Sequence, residues 1–507
     1  MNVFRINLFA SFGELADEPI EQSGPSAEFV YVDISSIDRS AKRIVDTRTL
    51  PLSEAPSRAR QVLKSGDVLV SMTRPNLNAV ALVSDQLDGA IGSTGFHVLR
   101  SKWLQPAFVH FLVQSQEFID AMCALVQGAL YPAVRPKDIA AYKFIFETPS
   151  QQTRIVAKLE ELLSDLDAGV WELKAAQKKL QQYRQSLLKT AVEGTLTTSW
   201  RETQRAANTS LETGAELLER ILRERRARWE EKQLAKFKEQ GKNPPKDWQK
   251  KYPEPSAPDT AGLLALPEGW VWATIDQLTI EQRYGSSAKT TEDSSEVAVL
   301  RMGNIQHGKL DFTNLKYLPK DHKEFPALFL KDGDLLFNRT NSPELVGKTA
   351  VYRSEFATCS YASYLIAVSF AEGFIPEFAS AYINSAYGRH WVKSVVVQQV
   401  GQANVNGSKL AALSVPLPPL AEQVELMRVL AEQIESAFAQ EKDIEKSLKQ
   451  STAQRQNILR SAFSGYLVPQ TPDDEPASVL LERIRSERAA QAATKKPRKR
   501  KTEEAAA

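Results

Sequence analysis

Residues 184–196, RQSLLKTAVEGTL, return at 455–467 as RQNILRSAFSGYL, and both are the ends of longer runs that match without a gap. QQTRIVAKLEELL at 151–163 aligns with EQVELMRVLAEQI at 422–434 in the same register. In the first run Ile155, Leu159, Leu162, Leu166, Gly169, Leu173, Ala176, Leu180, Tyr183 and Leu187 recur at alternating steps of four and three. That spacing is a coiled-coil seam and predicts one long helix with an apolar stripe. Thr148-Pro149-Ser150 supplies its start and Gly194 its stop. The second run begins after Pro418-Pro419 and carries Leu426, Leu430, Ile434, Ala437, Phe438, Ile444, Leu448 and Ile458, with Ser447 and Ser451 interrupting the stripe. Two stripes in one chain are buried most simply against each other. At 1.5 Å per residue, helices of about 40 residues make a rod of about 60 Å. An antiparallel pairing is preferred and a parallel one permitted; the plainer alternative is that each helix packs only on its own domain.

Working outward, the repeat extends over most of the chain in the same order. VYVDISSI from Val30 matches VAVLRMGNI from Val297, LKSGDVLVS from Leu63 matches LKDGDLLFN from Leu330, and PAFVHFLVQS from Pro106 matches PEFASAYINS from Pro376. After an offset change, LLERILRERRA from Leu217 matches LLERIRSERAA from Leu480. A period of some 270 residues is far beyond the roughly 20 to 50 of a solenoid, so the unit repeated is a whole domain plus helix. Short strand-like runs such as Val68 to Val70 and Leu335 to Phe337 follow Ser65-Gly66-Asp67 and Asp332-Gly333-Asp334 turns, with short helical patterns beyond. The expected class is α+β: two α+β domains separated by two long helices packed as a coiled coil. The divisions are a first domain over 1–148, its helix over 149–197, a charged helix and proline-rich linker over 198–264, a second domain over 265–417, its helix over 418–467, and a terminal helix and basic tail over 468–507.

Composition narrows the function classes. With 507 residues and 42% hydrophobic content the chain can bury two or three cores. Cys123 and Cys359 stand far apart, which argues against a disulfide framework or zinc ribbon and suits a reducing cytoplasm. No apolar run approaches the roughly 20 residues needed to span a membrane, and the N-terminus MNVFRINLFASFGEL lacks a signal-peptide core. A formal charge of +2 leaves the distribution of charge more telling than its sum.

Signatures of catalysis fail one by one. Asn243-Pro244-Pro245-Lys246 is one letter from the Asn-Pro-Pro-aromatic loop of amino-methyltransferases. Its fourth residue cannot stack on a flipped base, however, and a charged helical run precedes it where a strand is needed. Gly347-Lys348-Thr349 lacks the earlier glycine of a phosphate loop, the five histidines form no metal pattern, and no GxSxG is present. Leu417-Pro418-Pro419-Leu420 reads as a helix entry before it reads as a proline-rich ligand. No catalytic, cofactor-binding or metal residues are therefore expected.

What remains suits recognition. Ser71-Met72-Thr73-Arg74-Pro75-Asn76 and Asn338-Arg339-Thr340-Asn341 follow equivalent strands. Arg pairs bidentately with guanine and Asn with adenine in the major groove, so such a loop can read base edges. Further candidates are Gln402, Asn404 and Asn406 in a glycine-flanked segment, and Tyr131, Arg135 and Lys137 in its counterpart. Arg301, Asn304 and Gln306 join the second copy; Ser35, Ser36 and Arg39 join the first. Ordinary solvated turns are the competing account of each. The tail Lys495 to Lys501 could hold phosphate nonspecifically, or be a solvated charge run.

With its doubled layout, LPEGWVWATIDQL at Leu266, LKDGDLLFNRTN at Leu330, PLPPLAEQ at Pro416, the AVEGTL and AFSGYL helix ends and LLERIRSERAA before a basic tail, the chain resembles the specificity subunit of type I restriction-modification systems along essentially its whole length. One departure is that the LPEGW strand has no good match before Val30, so the first domain is expected to start differently or to be trimmed. The resemblance implies two target-recognition domains, each reading half of a split, asymmetric double-stranded DNA site, with the helices as a ruler. It also implies two methyltransferase subunits bringing S-adenosylmethionine for adenine methylation, and motor-nuclease subunits for cleavage with ATP and magnesium. A coiled-coil scaffold holding two ligand-binding domains is the alternative.

Overall fold

The computed structural model describes residues 8–494 apart from 17–19, 21, 127–131, 209, 344, 357, 400–401 and 472–473. The predicted stripes form two helices of 44 residues each, Pro149–Val192 and Leu420–Phe463. Two compact units divide the chain, Met1–Lys174 with Ile444–Ala507 and Ala175–Asp443, so each long helix contributes one part to each unit.

The pairing direction is legible inside each unit. In the first, Arg455 pairs with Asp167 while Gln151 reaches the carbonyl of Val468, so rising numbers on one helix meet falling numbers on the other. In the second, Arg184 pairs with Glu441 at 2.6 Å and Thr197 donates to Glu422 at 2.6 Å. The helices are antiparallel in both. Ile155, Leu159 and Leu163 join Leu459 and Ala462 in the first core, and Leu187 and Ala191 join Leu426 and Leu430 in the second. The predicted seam is corrected at Tyr183, which is exposed and donates its hydroxyl to Gln433, while Leu163 takes a buried place beside Leu159. A helix that packs on a globular core as well as on its partner buries a stripe wider than two positions per heptad.

The globular part of each unit is built on the same sheets. In the first, Val68–Ser71 lies between Phe96–Leu99 and Val80–Leu82. In the second, Leu335–Asn338 lies between Leu365–Phe370 and Thr349–Val351, and Thr279–Tyr284 adds a fourth strand beyond Leu365–Phe370. Both central strands are buried along their length, hence their unbroken apolar runs. A second sheet sets Phe29–Val32 parallel to Ile91–Ser93, as Val297–Leu300 is parallel to Cys359–Tyr361. The turns before the central strands are fastened alike: Asp67 accepts from the Lys64 amide and pairs with Arg100 at 2.6 Å, while Asp334 accepts from the Lys331 amide and pairs with Arg283 at 2.6 Å. The carboxylates are kept, but Arg100 follows strand Phe96–Leu99 whereas Arg283 lies within Thr279–Tyr284.

The expectation of a different start to the first domain is overturned. Phe9–Ser11 pairs antiparallel with Lys143–Ile145, as Val271–Thr274 pairs with Ser414–Leu417. Both strands run into a one-turn helix with a capping box, Ser11 with Glu14 and Thr274 with Gln277. Letter matching missed it because only inward positions and cap chemistry are kept: Ala10, Phe12 and Leu15 answer Ala273, Ile275 and Leu278.

Fully buried glutamines tie helix to domain in each unit. Gln152 accepts from the Gln105 amide at 2.7 Å and donates to the carbonyls of Trp103 and Glu147. Its counterpart Gln423 accepts from the Ile375 amide at 2.9 Å and donates to those of Gly373 and Pro418.

Candidate nucleic-acid interface

In each unit the loop after the central strand is drawn to the same later segment. Thr340–Asn341 pairs antiparallel with Gln402–Asn404, which folds back on Val397–Gln399, and the Val405 amide donates to the Arg339 carbonyl at 2.9 Å. In the first unit Thr73 bridges Ala133, and the Val134 amide donates to the Met72 carbonyl at 2.9 Å. Two candidate regions read separately in the sequence are thus one surface, built twice.

The second unit presents the fuller set. The Arg339 guanidinium lies over the Tyr284 ring, its Cζ 4.9 Å from the centroid, and Nε has no hydrogen-bond partner. The Tyr284 hydroxyl accepts from the Gly407 amide at 2.8 Å. A Cβ at Gly407 would stand 2.6 Å from that hydroxyl, so the contact demands glycine. Asn404 donates to Thr340 Oγ1 at 2.8 Å, Asn341 accepts from the Ser342 amide, and exposed Asn406 caps a short helix through the Lys409 amide. The backbone of Gln402 lies in the pairing strand. Tyr284 and Tyr364 are 45% and 46% exposed and flank Arg339, whose amide donates to the Tyr364 carbonyl at 2.9 Å. Sequence reading missed both tyrosines. Nearby, burial and then the Arg389 charge lower the pKa of Lys348.

The first unit exposes Thr73, Arg74 and Asn76, with Arg74 in the left-handed region at φ 49°. Arg135 and Lys137 are exposed, but Arg135 is already paired with Asp138 at 2.9 Å. Tyr131 and the tail Lys495 to Lys501 lie outside the described residues. Exposed Arg39 sits by a hairpin whose Lys42 donates to the Asn78 carbonyl at 2.6 Å, two residues beyond Asn76. Burial, then the charges of Arg455 and Arg39, lower the Lys42 pKa to about 8.

Four candidates are corrected by burial. Ser36 and Asn304 close equivalent turns, Ser36 on Asp33 and Asn304 on the carbonyls of Asp311 and Thr313. Ser71 turns back on Thr73, and Asn338 donates to the Leu345 carbonyl. Their polar atoms hold the frame beneath the surface. Ser35 is exposed but bonded to Asp33. Half-buried Arg301 donates to the Asn314 carbonyl, and exposed Gln306 to that of Gly303.

Comparison with known proteins adds likenesses to one family. Residues 267–450 match the type I restriction modification DNA specificity domain. The chain is 23% identical over 457 residues to the type I restriction enzyme EcoKI specificity subunit of Escherichia coli K12, covering 87% of this chain and 85% of that one. It is 22% identical over 453 residues to the StySPI specificity subunit of Salmonella potsdam, with the same shares covered. A solved chain, described under complex assembly and conformational transition of the type I R-M system, superposes with a TM-score of 0.66 at 23% identity over 90% of this chain and 98% of its own. That likeness establishes the fold. No helix among the described residues is long and apolar enough to cross a membrane.

Proposed function

We propose that this chain, a specificity subunit of the type I restriction-modification family, reads a split DNA target with one half assigned to each globular domain and carries no catalytic site of its own. The observation that carries the reading is the surface built twice: the strand-end loop and its partner segment meet on the same apolar frame in both units but present different polar residues. Two copies that kept a frame and changed its surface are what an asymmetric target requires. Arg339, with an unspent guanidinium beside Thr340, Asn341 and Asn404, is the base-reading residue of the second domain. The long helices serve as the ruler between half-sites. Two methyltransferase subunits supply S-adenosylmethionine and the adenine chemistry, and motor-nuclease subunits supply ATP- and magnesium-dependent cleavage.

The test is adenine-methylation sequencing of a methylation-free host that expresses this chain with its neighbouring methyltransferase. A split, asymmetric motif is expected only when both are present; none, with soluble partners and an active methyltransferase, would turn attention to the scaffold alternative. Exchanging Leu266 to Val415 for the segment of a relative should change one half of the motif alone. Arg339→Ala should weaken that half by about 1 to 3 kcal/mol at one base pair, and an unchanged motif would remove it from the interface.

A further inference from the structure

In the sequence that links its two domains, the second unit carries an arm whose chemistry the recognition surfaces do not use. Helix Gly214–Glu239 is held at its start by the second unit's core, through Leu217 and Ile221, and by Arg225 on Asp276 at 3.0 Å. Beyond that root the returning segment is clamped onto the helix by aromatic rings: Trp229 stacks on Trp248 at 5.8 Å, Tyr252 meets Trp229 at 5.4 Å, and Phe237 meets Trp248 at 6.1 Å. Four aromatic side chains make a small core that fixes the tip, since each pair adds to the apolar area it buries.

Charge is divided along the arm. Near the root Arg220 is spent on Glu212 and Glu224, and Arg226 on Glu230 and Glu254. From 232 to 251 the chain carries seven lysines against Glu239 and Asp247, an excess of five positive charges. Asp247 pairs with Lys250. Lys236, Lys238, Lys242, Lys246 and Lys251 are exposed and make no ion pair among the described residues. A solvated helix gains from acidic partners one turn away, and where its lysines are densest this one offers only Glu239, three residues past Lys236.

We propose that the lysine-bearing tip of this arm contacts the phosphate backbone of duplex DNA flanking the half-site read by the second domain. The partner is argued from charge complementarity and position. Lysines are compact point charges suited to phosphate without base readout, and neutralised phosphates supply sequence-independent affinity. Arg225 ties the helix at 3.0 Å to Asp276 in the one-turn helix Ile275–Leu278, which runs directly into strand Thr279–Tyr284. The pKa of the Glu281 carboxyl, lowered first by its hydrogen bond from Lys331, is lowered also by the charge of Lys232. Glu281 belongs to Thr279–Tyr284, whose last residue supports Arg339 in the candidate interface. Three residues of strand, about 10 Å, separate the two points. The arm therefore borders the recognition surface of its own unit. The inference rests on the DNA-binding reading and extends it from bases to flank.

The test compares the full-length chain with a variant bearing Lys→Gln at positions 236, 238, 242, 246 and 251, each with and without co-expressed methyltransferase. Probes are duplexes that extend a helical turn past each half-site, with and without the methylated motif. The slope of log affinity against log salt should fall by about 0.9 for each phosphate the variant no longer neutralises, so it binds about tenfold or more weaker at low salt and converges with the wild type at high salt. Preference for the motif should stay unchanged, and hydroxyl-radical protection should disappear only from the flank beyond the second domain. Equal slopes and equal flank protection would overturn the proposal, as would an unchanged slope with loss of the co-purifying methyltransferase, which would make the arm a protein-docking surface. A wild type without motif preference would sink the recognition reading instead, while the slopes on either duplex still decide the arm.

Discussion

Asn338 and Arg339 are adjacent in the chain and opposite in fate. Asn338 is fully buried at the end of its strand, whereas Arg339 places a guanidinium over an exposed ring. Both are plausible base readers by residue type. One step along a strand reverses the face a side chain occupies, so type alone cannot separate them; the same ambiguity put Ser71 among the candidates. Tyr284 and Tyr364 stayed hidden for another reason: sheet pairing brings them to Arg339 from distant segments, and neither carries a local motif. The expected outcomes follow this division. Asn338→Ala should cost about 1 to 2 kcal/mol in denaturant unfolding and leave base preference alone. Tyr284→Leu should relax preference at the base pair that Arg339→Ala relaxes, with the double variant little worse than either. Tyr284→Phe, which keeps the ring and removes the acceptor for the Gly407 amide, should have the smaller effect on preference. Additive losses at different positions would show that the tyrosine acts independently of the arginine.

Elements were more legible than side chains. The helical runs appeared in the sequence because a seam is a long periodic signal, and their antiparallel pairing appears in the ion pairs of each unit. The opening strand of the first domain was invisible because three residues and a cap are too little pattern to align. A less expected element-level feature is Glu422, in the first turn of the second long helix and 1% exposed. It accepts from Trp270 Nε1 at 2.8 Å and Thr197 Oγ1 at 2.6 Å, and pairs with Arg201. One carboxylate thus binds the LPEGW entry and the turn and short helix that follow the first long helix, and the helix N-terminus favours its charge. The equivalent residue in the other unit is Gln151, which donates to the Val468 carbonyl instead. Glu422→Ala would leave Arg201 without its carboxylate partner and the Trp270 N–H without its acceptor, and should cost about 3 kcal/mol. Glu422→Gln should cost less. Denaturant unfolding of the full chain checks the order, and equal costs would mean that the charge adds nothing to the hydrogen bonds.

For the molecule as a whole, duplication was readable from the apolar framework, while the electrostatic differences between the copies were not, because burial rather than residue type sets them. His97 and His110 both belong to the first unit, and burial lowers each from the ordinary value to about 4. At His110 a hydrogen bond with the Lys42 carbonyl opposes that shift and the Lys42 charge adds to it. A histidine whose folded pKa is depressed stays neutral in the fold while the unfolded chain takes up a proton. The unfolded state therefore binds more protons between pH 6.5 and 4, and stability present above 6.5 falls as pH drops through that window. Carboxylates held low by partners, such as Glu14 and Glu281, give up their contribution only as pH falls below their ordinary range near 4.5. The interval from 6.5 to 5 therefore isolates the histidines. Urea unfolding at pH 7.5 and at 5 should show a loss of about 1 to 3 kcal/mol in the first unit. His110→Gln, which retains an N–H for the Lys42 carbonyl, combined with His97→Leu, should shrink that loss and leave the second unit's response unchanged. An identical loss in wild type and variant would mean that both imidazoles titrate normally and that the acid sensitivity of the first unit lies elsewhere.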